Sequence, residues 1–146
     1  MAQMNFSWPV RVYYEDTDLG GVVYYANYLK FMERARTELL RHLGIQQDQL
    51  IEQQNIIFAV RSAQLEYNSP ARFNDDLTVT VSLKELKKAS LLFEQTIFRS
   101  NQQDRILCQG QIRVACLQAD TFKPVVLPVS VTVAIAEFLM EIDRVD

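Results

Sequence analysis

Histidine is nearly missing from this chain: His42 is the only one. That scarcity, with only two cysteines, removes the usual tetrahedral zinc sets, which need four nitrogen or sulfur ligands. A Ser-His-Asp hydrolase of the nucleophile-elbow type is also unsupported, because no G-x-S-x-G element occurs. A Cys-His pair would have to bring His42, inside a helix, to a strand cysteine, and nothing in the spacing suggests it. Cys108 and Cys116 fall in one predicted strand, about 26 Å apart at the usual rise. That is too far for a disulfide, so they read as buried free thiols in a reducing compartment. No uninterrupted apolar run approaches bilayer length, and "MAQMNFSWPVRV" lacks the basic flank and apolar stretch of a signal peptide. A cytoplasmic protein without a transmembrane segment is expected, with peripheral membrane contact left open. The formal charge of −3 argues against nucleic acid as a partner. Glycine is scarce as well, four in all, yet two of them, Gly20 and Gly21, are adjacent.

What the chain does have is pattern. At 146 residues it is one domain long, 1–146, with no repeat or linker. Pro9 to Tyr14 reads as a short strand. From Tyr24 to Leu43 the apolar residues Tyr24, Tyr25, Tyr28, Leu29, Phe31, Met32, Ala35, Leu39, Leu40 and Leu43 share one arc at about 100° per residue. Arg36 and His42 sit on that arc against type, and Gly44 stops the helix. A shorter helix is expected over Asp48 to Gln54, and a closing one over Val129 to Ile142. Between them run four strands, of which "LTVTVSL" alternates without a fault. The order β-α-(α)-β-β-β-β-α, with short turns, gives an α+β domain: a five-stranded antiparallel sheet with one long helix on a face. Sheet edges are left over, and a partner subunit is expected to cover them.

The stretch "VYYEDTDLGGVVYYANYLKFMERAR", Val12 to Arg36, places acids and glycines just ahead of the long helix. Read as a calcium loop from Asp16, it has Gly20 where an oxygen ligand is needed and Asn27 where a bidentate Glu belongs. "DLGG" has neither the Lys-Ser/Thr of a P-loop nor a dinucleotide fingerprint. Two readings of Asp18 remain. It is an N-cap, accepting bonds from the first helical amides. Alternatively it is a base or nucleophile beside an oxyanion cradle of free N–H groups at the helix start, reached because glycines let another molecule approach the backbone. The second arrangement suits attack on an activated acyl group. Arg36, buried by the pattern, needs a counter-charge, and a sheet carboxylate is expected to supply it, with Glu66 as the candidate.

These residues, with "WPVRVYYEDTD", "FAVR", "EYNSPARFND", "KKASLLFEQ" and "KPVVLP", closely resemble the 4-hydroxybenzoyl-CoA thioesterase family of hotdog-fold proteins. Within it the chain is most similar to the branch associated with the Tol-Pal system. The resemblance implies a long central helix wrapped by a curved sheet, and homodimers or homotetramers with active sites at the dimer interface. It implies hydrolysis of an acyl-CoA, or of an acyl group on an acyl carrier protein, to a carboxylic acid, with no cofactor and no metal. Asp18 would be the catalytic carboxylate, backbone amides near Val23, Tyr24 and Tyr25 the oxyanion donors, and Gly20 and Gly21 the means of making the tight loop. Lys87, Lys88 and Ser90 of "LKKAS" fall where the family holds the coenzyme A nucleotide; Arg61 and Arg72 are further basic candidates, with pairing to carboxylates as their alternative role. The branch commonly carries His where this chain has Tyr25, a hydrogen-bond donor but a poor base near neutrality. The competing functions are a hotdog-fold hydratase and a non-catalytic acyl-CoA-binding or envelope-associated interaction protein.

Overall fold

The computed structural model describes residues 6–144, and side chains through Phe138. The elements are β1 (Phe6–Arg11), α1 (Asn27–His42), α2 (Gln47–Gln54), β2 (Ile56–Tyr67), β3 (Asp76–Leu86), β4 (Ser90–Arg99), β5 (Ile106–Gln118) and α3 (Val129–Arg144). The strands form one sheet in the order β1-β3-β4-β5-β2, antiparallel throughout. This is the helix-and-sheet architecture that the hotdog resemblance implies. None of the described helices is long and apolar enough to cross a membrane.

The sheet faces follow from alternation. Leu77, Val79 and Val81 of β3 are fully buried, while Thr78, Thr80 and Ser82 between them are half-buried on the other face. Against the first set packs α1. Its buried residues Tyr28, Phe31, Met32, Ala35, Arg36, Leu39 and Leu40 recur at helical spacing and make one stripe. The core closes with Ile97, Leu107, Ile112 and, from α3, Val131 and Ile135. Burial of this apolar set is the dominant stabilisation, at roughly 25 cal/mol per Å² removed from water.

Three expectations move. The first strand is Phe6–Arg11 rather than Pro9–Tyr14. It pairs through Arg11↔Asp76, after which the chain bends into a 3-10 turn over Tyr14–Asp16. As an edge strand, β1 tolerates Pro9. Helix α1 begins at Asn27, not Tyr24, because the N–H groups of Val23 and Tyr24 are drawn to the carbonyls of Ala71 (2.8 Å) and Asp16 (3.0 Å). Finally, Arg36 does not pair with Glu66, which is exposed on edge strand β2. Its Nη1 donates instead to Gln95 Oε1 at 3.0 Å. Cys108 and Cys116 are buried free thiols.

Candidate active site

The loop between the 3-10 turn and α1 is held from both sides. Asp16 Oδ2 accepts from the Tyr13 N–H at 2.8 Å, Asn27 Nδ2 donates to the Asp16 carbonyl at 2.9 Å, and Thr17 pairs with Val23 as Val22 does with Arg72. At its tip Asp18 folds back: Oδ1 accepts from the Gly20 N–H at 2.9 Å, and its carbonyl accepts from Gly21 at 3.0 Å. Gly21 has φ 76°, a conformation a side chain would strain. A Cβ on Gly20 would stand 3.3 Å from Asp18 Oδ1, so the carboxylate lies close against that backbone. Asp18 is therefore exposed and fixed by one oxygen, while Oδ2 has no hydrogen bond among the described residues.

It does not cap α1. The helix start carries no side-chain cap at all, and its donors differ from those expected. With Val23 and Tyr24 N–H groups spent on carbonyls, the next amides, those of Tyr25 and Ala26, have no acceptor among the described residues. Around them stand exposed aromatics: the Tyr25 ring lies 4.9 Å from that of Tyr24 and 6.1 Å from that of Tyr67. Tyr28 is buried beneath, its hydroxyl accepting from the Ala71 N–H at 3.0 Å. The hydroxyl of Tyr24 is held above its ordinary value chiefly by its hydrogen bond with Tyr25. Burial raises those of Tyr28 and Tyr67. Within one chain this region is open surface, and the principal grooves lie elsewhere.

One of those grooves, about 450 Å³, runs beside the β3–β4 hairpin. Ala59, Arg61, Ser90, Leu117, Phe122 and Pro124 line it. Arg61 is the extra residue of a bulge, since the register steps from Val60↔Val114 to Ser62↔Arg113, and bulges re-aim side chains. Ser90 is buried, its Oγ accepting from Arg113 Nη1 at 3.1 Å. The other arm of Arg113 donates to Glu85 at 2.6 Å and holds that carboxylate below its usual range. Lys87 reaches Glu85 only at 4.0 Å. Lys88 is exposed. Thus Ser90 and Arg61 line one groove, Lys87 and Lys88 stand outside its lining on the adjoining hairpin, and Phe122 joins the lining from a loop that sequence reasoning passes over. Phe122 has φ 58°, unusual for an aromatic residue, but a lone "TFKP" gives no local sign of it. Arg72 instead belongs with the Asp18 loop, through its bridge to Val22.

His42, exposed at the other end of α1, sits between the rings of Phe6 (5.6 Å) and Phe138 (5.7 Å), remote in sequence and element from Asp18.

Residues 12–139 match the thioesterase-like superfamily, and the chain belongs to that family. Among its relatives is the acyl-CoA thioesterase YbgC of Haemophilus influenzae, 45% identical, the alignment covering 92% of this chain and 96% of that protein. A probable thioesterase from Bartonella henselae superposes with TM-score 0.79 at 32% identity, over 85% of this chain and 99% of that one. The 1,4-dihydroxy-2-naphthoyl-CoA thioesterase of Synechocystis shares the fold, with TM-score 0.83 at 22% identity over 91% of this chain and 96% of that one.

Proposed function

We propose that this protein is an acyl-CoA thioesterase, hydrolysing the thioester to a carboxylic acid and free coenzyme A with Asp18 as base or nucleophile. The observation that carries the assignment is the Asp18 side chain. One carboxylate oxygen is tied to the Gly20 amide, and the other is left open at the mouth of the loop that leads into α1. A carboxylate so oriented can deprotonate a water or attack the carbonyl carbon directly. The thiolate leaves without a strong acid, so no histidine is required. The amides of Tyr25 and Ala26, still unbonded, are the donors for the developing oxyanion. Such preorganised donors are each worth about 3 kcal/mol in the transition state. Tyr25 supplies a phenol rather than an imidazole there, able to donate a hydrogen bond to the substrate.

The nucleotide of coenzyme A fits the groove of Arg61, Ser90 and Phe122, with the adenine on Phe122 and Leu117 and the phosphates toward Lys87 and Lys88. An acyl carrier protein presents the same phosphopantetheine arm and is the alternative donor. The wall facing Asp18 comes from a second copy of the chain, added at the free edge of β2, with dimers pairing further into tetramers. A cytoplasmic location, at the inner face of the membrane and in association with the Tol-Pal system, is part of the same reading. It rests on the motif resemblance of Tyr13 to Arg36.

The test is Asp18→Asn. Thiol release from a panel of short, long and aromatic acyl-CoAs is expected to fall roughly 10²- to 10⁴-fold with the circular dichroism spectrum unchanged. Undiminished turnover overturns the role of Asp18. A hydratase is disfavoured by His42, held between Phe6 and Phe138. Tight binding of every acyl-CoA with no thiol released by the unaltered protein would favour the non-catalytic alternative.

A further inference from the structure

A second cavity, about 250 Å³, lies between α1 and the inner face of β2, β4 and β5. Leu40, Phe58 and Phe93 are among its apolar walls, and Glu33, Arg36, Thr37 and Gln47 are its polar residues. Arg36 is only 8% exposed, yet it forms no salt bridge among the described residues. Its single side-chain acceptor is Gln95 Oε1. Gln95 is fully buried and held by its own Nε2, which donates to the Met32 carbonyl at 3.0 Å, so Arg36 is offered an oxygen but no charge. A guanidinium carries five N–H donors. No buried side-chain nitrogen or oxygen among the described residues lacks a partner, so the remaining donors of Arg36 open onto the cavity that it lines. Glu33, one turn away on the same helix, lends Arg36 a partly compensating negative charge, but the two form no salt bridge, and the Glu33 carboxylate accepts from the Thr37 hydroxyl at 2.5 Å.

A guanidinium whose stem is buried and whose free donors open onto a cavity with apolar walls is placed to receive an anion of matching shape. The guanidinium fork fits either a carboxylate or a phosphate. The apolar walls favour an anion attached to hydrocarbon, and the negative charge of Glu33 beside Arg36 disfavours a dianion. We propose that this cavity binds an apolar carboxylic acid, its carboxylate on the Arg36 guanidinium and its hydrocarbon against Leu40, Phe58 and Phe93. Acids of this class are what a thioesterase releases. That link alone rests on the proposed function, and the binding is tested with no thioester present.

The probe is octanoate, titrated calorimetrically into the intact protein alongside its neutral analogue octanamide. Octanoate is expected to bind at least about tenfold more tightly, the scale of a charge-assisted hydrogen bond lost. Arg36→Met removes the cation, and Gln95→Glu supplies it with an internal counter-charge; each is expected to abolish the preference. Should Arg36→Met fail to fold, the acid–amide comparison on the unaltered protein and Gln95→Glu still decide. Equal affinity for acid and amide, no octanoate binding, or binding that persists in Arg36→Met overturns the proposal. Absence of octanoate binding together with dissociation of a dimer by Arg36→Met would mean that a second copy provides the counter-charge. Loss of thiol release in Asp18→Asn leaves every one of these results readable.

Discussion

Gln95 holds two groups at once, the Arg36 guanidinium and the Met32 carbonyl of α1, from a position with no solvent exposure. Gln95→Leu keeps the volume and strips both bonds, leaving a buried cation without its acceptor and the Met32 carbonyl with its helical bond alone. Urea denaturation is expected to show a loss of about 2–5 kcal/mol, and a loss below about 1 kcal/mol would mean that water replaces the amide. Cys108 is a second buried polar case, with a proton at stake. Burial pushes its thiol up to about 12, whereas in the unfolded chain it ionises at the ordinary value near 8.5. The native state therefore holds its proton longer. The contribution is intact below the unfolded value and is lost progressively as the pH climbs toward about 12. Stability should decline over that window, and Cys108→Ala should decline less steeply in parallel urea melts from pH 8 upward. The burial of Cys108 is readable in the sequence; the role of Gln95 is not. The apolar arc puts Arg36 inside and shows that it needs a partner, but charge alone points to a carboxylate such as Glu66. Gln95 stands 59 residues away, where only the sheet register brings it under the helix.

Elements with an uninterrupted period were legible; their ends were not. The buried stripe of α1 and the alternation of β3 are written in consecutive side chains. The start of α1 is decided elsewhere, by the Ala71 and Asp16 carbonyls that claim the Val23 and Tyr24 amides. Competition from distant backbone has no trace in a local pattern, and it moved the candidate oxyanion donors from Val23–Tyr25 to Tyr25 and Ala26. Gly110 belongs to the same scale. It pairs with Leu65 on one side and Gln95 on the other. A Cβ there would meet the Gln64 carbonyl oxygen at 2.9 Å and the Leu65 side chain at 3.0 Å. The oxygen is backbone and cannot swing aside, so β2 and β5 must part locally. Gly110→Ala is expected to cost about 1–3 kcal/mol and to speed hydrogen exchange in Ser62–Tyr67 ahead of the rest of the sheet. Exchange unchanged there would show that the strands absorb the methyl group without parting.

At the scale of the whole molecule, the layer architecture was open to sequence reasoning because it needs only the order of elements and their apolar faces. The candidate site was half open: Asp18 and its glycines stand together in the chain, whereas the wall that would face them does not belong to one chain in the proposed reading. In that reading the wall would attach at strand β2. It is the outer strand on its side of the sheet, twelve residues long, and from Val60 to Gln64 it is exposed throughout. An edge so long and so nearly uncharged invites pairing with another strand. Two copies related by a two-fold axis would set the same stretch against itself, running antiparallel. Ala63→Lys then brings two like charges together across the axis, while leaving the β2–β5 ladder its backbone bonds. Sedimentation velocity is expected to show a shift from dimer toward monomer, and thiol release should fall in step with the monomer fraction at unchanged circular dichroism. A monomer retaining full turnover would place every group needed for hydrolysis in a single chain. Asp18 would then have to work at the open surface, where water screens its charge and the amides of Tyr25 and Ala26 lose most of their effect on the oxyanion.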